Sequence, residues 1–276
     1  MSWTAELLSD ALNKWNETMD TIWDLLLQSP EEFKGGGIWN TIVDINGAMQ
    51  AVGYGLLILF FCMGIFRSAV NFRDFRRPEF VFRHFIYFVA AKAAITYGLE
   101  LMQAVFTICA GIANEAIGYL GGTAGAAATL PQEIIQAIED AGFWETIPLW
   151  MLSLIGTGAV TLLSFVLILV IYGRFFRIYL YTAMSPLALA TFGGEATMST
   201  GKAFLKSYAG VCLSGVMIVL SCIIFTAMAS TGTPAIEGGS PVVMVWNYIK
   251  ETAFNMAMLT ILIFTSNSVV KEMFGL

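Results

Sequence analysis

Few residues in this chain could carry out covalent chemistry, and their spacing argues against it. His84 is the only histidine, which excludes a multi-histidine metal cluster within one chain. Cys62, Cys109, Cys212 and Cys222 all lie in apolar stretches. None has Cys-x-x-Cys or Cys/His ligand spacing, so they read as small buried hydrophobes. Gly201-Lys202 invites a phosphate-loop reading, but that motif needs glycine at 196 and Ser or Thr at 203. The chain has Ala196 and Ala203 there. Glu195 and Glu237 have no basic or metal-binding partner near them in sequence. The expectation is a protein that is not an enzyme and holds no metal or cofactor.

Charge placed where charge is expensive is more informative. The stretch 85–113 reads as a membrane span, yet it contains Lys92 and Glu100. A charge at mid-membrane costs about 2.5–3.5 kcal/mol on insertion scales. The polar residues there are ordered. Lys92, Thr96, Glu100, Gln103, Thr107, Gly111 and Asn114 are spaced 4-4-3-4-4-3, which confines them to about 100° of a helix surface. Such a stripe marks either a water-filled path or a polar seam between helices. About five helices are too few to enclose a wide pore, so a pore requires several copies of the chain.

The elements that must position this stripe are membrane helices. Four stretches carry no charge: Ile45–Phe66, Thr146–Gly173, Ser207–Ile236 and Thr252–Val270. A helix needs roughly 20 apolar residues to cross the hydrocarbon core. Charged residues make up only 12% of the chain, about half the usual share of a soluble protein. A pI near 4.8 argues against diffuse binding of nucleic acid. The N-terminus lacks the basic and apolar regions of a cleavable signal peptide.

The predicted fold is therefore all-α, a polytopic membrane bundle with spans at about 45–66, 85–113, 149–172, 208–229 and 252–270. Residues 1–36 form an extracytoplasmic amphipathic helix and a Gly-rich joint, and residues 37–276 form the transmembrane domain. On that first helix Leu8, Leu12, Trp15, Met19, Ile22 and Leu26 repeat at 4-3-4-3-4, a coiled-coil-like seam for another helix of the same or a neighbouring subunit, the alternative being an interfacial helix lying on the headgroups. Its acids fall on the opposite face. Ser29-Pro30 stops the helix.

The loops set the orientation. Arg67, Arg73, Arg76, Arg77 and Arg83 follow the first span, and Arg174, Arg177, Lys202 and Lys206 follow the third. Short basic loops stay in the cytoplasm. The N-terminus then lies outside and the C-terminus in the cytoplasm. The stretch 178–194, interrupted by Pro186, reads as a re-entrant or interfacial segment on the cytoplasmic side, because a further span would reverse the later loops against this rule.

The stretch Arg177–Gly215 reads RIYLYTAMSPLALATFGGEATMSTGKAFLKSYAGVCLSG. Led by Ser185-Pro186-Leu187-Ala188 and by Gly201-Lys202 through Leu205-Lys206, it resembles the TrbL-like membrane proteins of conjugation machinery, the sixth VirB component of type IV secretion. It is most similar to the short versions on mobile elements of Gram-positive bacteria. The resemblance implies a homo-oligomeric channel component of the cytoplasmic (inner) membrane. It also implies contacts with membrane lipid, other subunits of the machine including its cytosolic ATPases, and single-stranded DNA in transit. The alternative is a membrane scaffold or anchoring subunit that conducts nothing.

Overall fold

The computed structural model describes residues 3–69, 78–119, 128–229 and 240–275. Regular structure among the described residues is helical throughout. The α-helices are α1 Trp3–Leu27, α2 Gly37–Ala69, α3 Pro78–Thr96, α4 Gly98–Tyr119, α5 Gln132–Glu139, α6 Phe143–Ala190, α7 Met198–Ala229 and α8 Pro241–Phe274. Local sequence sets several of the boundaries. Pro78 and Pro241 open α3 and α8, where the missing N–H is no loss. At the start of α6 the Gly142 N–H donates to Glu145 Oε2 at 3.2 Å, one half of a capping box. Between α1 and α2 the backbone turns through the left-handed region at Lys34 (φ 50), Gly35 (φ 75) and Gly36 (φ 78). Glycine occupies that region without penalty, which is why the joint falls here.

Among the described residues, five helical stretches are long and apolar enough to cross a membrane: Phe33–Phe66, Gly98–Gly118, Trp144–Gly193, Met198–Ala227 and Pro241–Phe274. They leave large apolar side chains uncovered, including Phe66, Leu162, Phe165, Leu180, Ile261 and Phe264. Water would penalise that surface and a bilayer accommodates it. The chain is a multi-pass membrane protein.

Two stretches differ in detail from the sequence expectation. The stretch 85–113 is shared between α3 and α4, which meet at Tyr97. The hydrogen-bond ladder carries through, with Tyr97 N–H on Ala93 O at 2.9 Å and Leu101 N–H on Tyr97 O at 3.0 Å. Gly98 follows because a Cβ there would lie 3.0 Å from Leu189 on α6.

The stretch 178–194 does not begin a helix of its own. Its first thirteen residues are the end of α6, 48 residues long and about 72 Å at 1.5 Å per residue. Pro186 sits inside this helix without ending it. Proline removes one N–H and so frees the carbonyl four residues back, here that of Thr182. Asn46 Nδ2 from α2 donates to that oxygen at 2.6 Å, and Ser185 Oγ donates to it at 2.9 Å. Gly53 of α2 gives the proline room, since a Cβ there would lie 2.9 Å from the Pro186 carbonyl oxygen.

The chain divides into two compact units. The first comprises residues 1–27, 113–173 and 216–266, and the second residues 28–112, 174–215 and 267–276. In the first unit, α1 packs on α6 and α8. Leu8 and Leu12 face Gly156 and Val160 of α6 and Tyr248 and Ile249 of α8. Thr157 Oγ1 donates to Leu7 O at 3.3 Å, and Trp3 stacks on Trp150 at 6.3 Å. In the second unit the core joins α2, α3, α4, α6 and α7 through Leu57, Ile95, Met102, Ile178, Leu189 and Tyr208. The joint after α1 is fixed there as well. Phe33 stacks on Phe175 at 4.2 Å, and Tyr179 Oη donates to Pro30 O at 2.8 Å.

Candidate functional site

The polar stripe lies on the exposed side of α3 and α4. These helices bury Ala91, Ile95, Met102, Phe106 and Cys109, and the 3.6-residue period turns Lys92, Thr96, Glu100 and Thr107 outward. Gln103 is half-buried, and Asn114, further along α4, is exposed. Two members of the stripe are tied to neighbours in the second unit. Thr96 Oγ1 and the Tyr54 hydroxyl share a hydrogen bond of 2.9 Å. Gln103 Nε2 donates to Glu31 Oε1 at 2.6 Å. The side chains of Lys92 and Glu100 have no hydrogen-bonding or ionic partner among the described residues. Glu100 thus stands open on a stretch long and apolar enough to cross a membrane, and Lys92 on the helix that runs into it, placements that hydrocarbon disfavours and water or a protein partner permits.

The basic residues do not gather on one face. Arg83 pairs with Glu195 at 2.5 Å, with both side chains more than half exposed. Its guanidinium is held above its usual pKa, chiefly by a hydrogen bond to Tyr87 and then by the charge of Glu195. Lys202, Lys206 and Arg177 are exposed. The side chain of Arg67, and Arg73, Arg76 and Arg77 altogether, lie outside the described residues.

Arg174 corrects the expectation that placed it on this solvent-facing surface, because it is buried at 6% exposure. Its guanidinium lies over the Phe106 ring at 5.7 Å and the Phe175 ring at 5.8 Å. Nη2 donates to Cys212 O at 3.4 Å, while Nε and Nη1 find no acceptor. The space it fills exists because position 215 is glycine. A Cβ on Gly215 would collide with the guanidinium.

The α1 seam closes within the chain. Leu8, Leu12, Trp15, Ile22 and Leu26 are buried and Met19 is half-buried, while Glu6, Asp10, Glu17, Asp20 and Asp24 are exposed. Of the three arrangements the periodicity allows, this is the one within a subunit.

Sequence reasoning missed two features. One is the ion pair between Arg83 and Glu195, residues 112 positions apart. The other is the Asn46–Thr182–Pro186 set, whose signal was present: an asparagine in an otherwise charge-free apolar run, and a threonine four residues before a proline in a helix.

These observations define an all-helical, multi-pass membrane protein with a polar face on the α3–α4 helices. Residues 15–186 match the TrbL/VirB6 plasmid conjugal transfer like proteins, and the chain belongs to that family. No curated protein and no solved structure matches it. The matched region runs from α1 to Pro186, so it includes only the first ten residues of the stretch 177–215.

Proposed function

We propose that this conjugal-transfer membrane protein is a channel component of a type IV secretion system in the cytoplasmic membrane, acting as a homo-oligomer. Subunits arrange the α3–α4 stripe around an aqueous path for the DNA–protein substrate. The observation that carries this reading is the open pair Lys92 and Glu100 on helices whose other exposed side chains include Phe85, Val89, Leu101 and Ile108. The N-terminus lies outside and the C-terminus in the cytoplasm. The first unit supports this orientation with twelve acids against Lys14 and Lys250. Arg67, Arg73, Arg76, Arg77, Arg83, Lys202 and Lys206 would then offer the cytoplasmic surface for the machine's ATPases or for DNA phosphates.

The test is cysteine substitution along α3 and α4 in a background without native cysteines. An impermeant charged thiol reagent is applied to assembled membranes. Cysteine at 96, 100 or 107 should react, whereas cysteine at 101 or 108 should face lipid and stay unlabelled. Lys92→Leu plus Glu100→Leu should keep expression and abolish transfer. Unlabelled stripe positions with normal transfer by the double variant would overturn the channel reading and leave the non-conducting scaffold.

A further inference from the structure

Two contacts fix how α4 and α7 lie against each other in the second unit. Tyr208 of α7 donates its hydroxyl to Met102 O of α4 at 2.9 Å. One turn further along both helices Arg174 joins them, with its guanidinium over the Phe106 ring and Nη2 on Cys212 O. The helices therefore run parallel, and both contacts match positions 106 apart in sequence, 102 with 208 and 106 with 212. Glu100 and Lys206 have that same separation, two residues before the tyrosine contact on each helix. They stand at one height, in the first third of the apolar stretches Gly98–Gly118 and Met198–Ala227. Both side chains are exposed, and neither has a hydrogen-bonding or ionic partner among the described residues, each other included. They face different sides of the unit. A carboxylate and an ammonium of equal height, each open on a membrane helix, are complementary halves of one contact.

We propose that a second copy of this chain docks here, with Lys206 of one subunit paired to Glu100 of the next, head to tail around a ring. This seam rests on the homo-oligomer reading above and names the surface that holds the copies together. In a ring whose axis is the membrane normal each residue repeats at its own height, so a head-to-tail contact joins residues of equal height. Ala203, exposed one turn before Lys206, leaves room for the neighbouring helix to approach. Pairing keeps both charges away from hydrocarbon. Glu100 lies where the seam opens on the path. Lys92 stays free for the path itself, and Lys202 for the cytoplasmic partners.

The experiment uses the full chain in native membranes. Wild-type copies bearing two different epitope tags are expressed together and treated with a hydrophobic carbodiimide, which condenses a carboxylate with an amine in direct contact. Dimers holding both tags should form, and peptide mass mapping should find Glu100 joined to Lys206 by an amide. Lys206→Arg should keep the oligomer and lose this cross-link. Glu100→Lys and Lys206→Glu, each alone, should lose the oligomer on native sizing, and the two together should restore it. A wild-type oligomer without the Glu100–Lys206 amide would overturn the seam and leave the homo-oligomer standing. So would single reversals that keep the oligomer, or a double reversal that fails to restore it. A wild-type chain that sizes as a monomer would overturn the homo-oligomer reading and this seam with it.

Discussion

The two units differ in whether their fully buried polar groups reach beyond their own helix. In the first unit the buried hydroxyls turn back on their own helix. Thr18 donates to Lys14 O, Ser153 to Leu149 O, Ser164 to Val160 O and Thr260 to Met256 O. In the second unit Thr182, Ser185 and Ser214 do the same, but other buried polar groups reach between helices. Asn46 donates to Thr182 O, Tyr208 to Met102 O and Arg174 to Cys212 O. Charge divides as well. The first unit has twelve acids and two basic residues, and the second has eight acids and twelve basic residues, not counting His84. A hydroxyl satisfied on its own helix does not fix helix register, and the first unit's bonds between elements, Thr157 to Leu7 O and Asn16 to Ala128 O, come from half-buried groups. A fully buried interhelical hydrogen bond does fix it, because each bond forms at one register only. The polar face proposed to line the path rises largely from the second unit, where such bonds hold its helices in place.

The comparison breaks most visibly if the first unit tolerates a charge in its core. Trp15 is 4% exposed within the α1 seam. Trp15→Asp removes a large apolar side chain and buries a carboxylate with no partner, a cost of several kcal/mol. The variant should lose α1 packing even as an isolated subunit, seen as proteolysis within residues 3–27 of the purified protein. Resistance equal to wild type would show that the seam is not what holds α1.

A smaller effect is expected in the second unit from Asn46→Leu. This change leaves the Thr182 oxygen with Ser185 alone, and an under-satisfied buried acceptor costs about 1–3 kcal/mol. The lower end applies because Ser185 Oγ still donates. Pro186→Ala should rescue the variant, since alanine returns the backbone N–H that proline lacks and lets it donate to Thr182 O. Thermal unfolding in lipid nanodiscs should show a fall in midpoint for Asn46→Leu and a recovery in the double variant. Equal midpoints for the single and double variants would mean that the asparagine does not serve the carbonyl freed by the proline.

Much of this architecture was legible in the sequence, for physical reasons. A bilayer imposes a length and an apolarity on each span, so four charge-free stretches stood out by composition alone. The period of α1 located its buried seam, and the glycines at 35 and 36 located the joint. Arg174 was misplaced because the positive-inside rule counts charge near the end of a span and cannot see which way a side chain turns. Its burial depends on Phe106 and Gly215, each about 40 or more residues away. The end of α6 was hidden for a similar reason. A proline reads as a helix stop, and only the asparagine of another helix shows why this one is not. Local periodicity is written in neighbouring residues, whereas the interhelical bonds of the second unit are written in pairs that only the fold brings together.

The smallest effect expected is in the first unit, at Ser164. It is 2% exposed, and its hydroxyl donates to Val160 O at 2.9 Å on its own helix. That carbonyl also accepts the backbone N–H of residue 164 in the ordinary helical ladder. Ser164→Ala removes the donor together with the whole hydroxyl and orphans no group. The change in stability should stay within about 0.5 kcal/mol, far below that of Asn46→Leu although both side chains are equally buried. Unfolding midpoints in the same nanodiscs compare the two directly. A loss at Ser164 as large as the loss at Asn46 would mean that burial alone sets the cost. The direction in which each side chain bonds, along its own helix or across to another, would then not decide that cost.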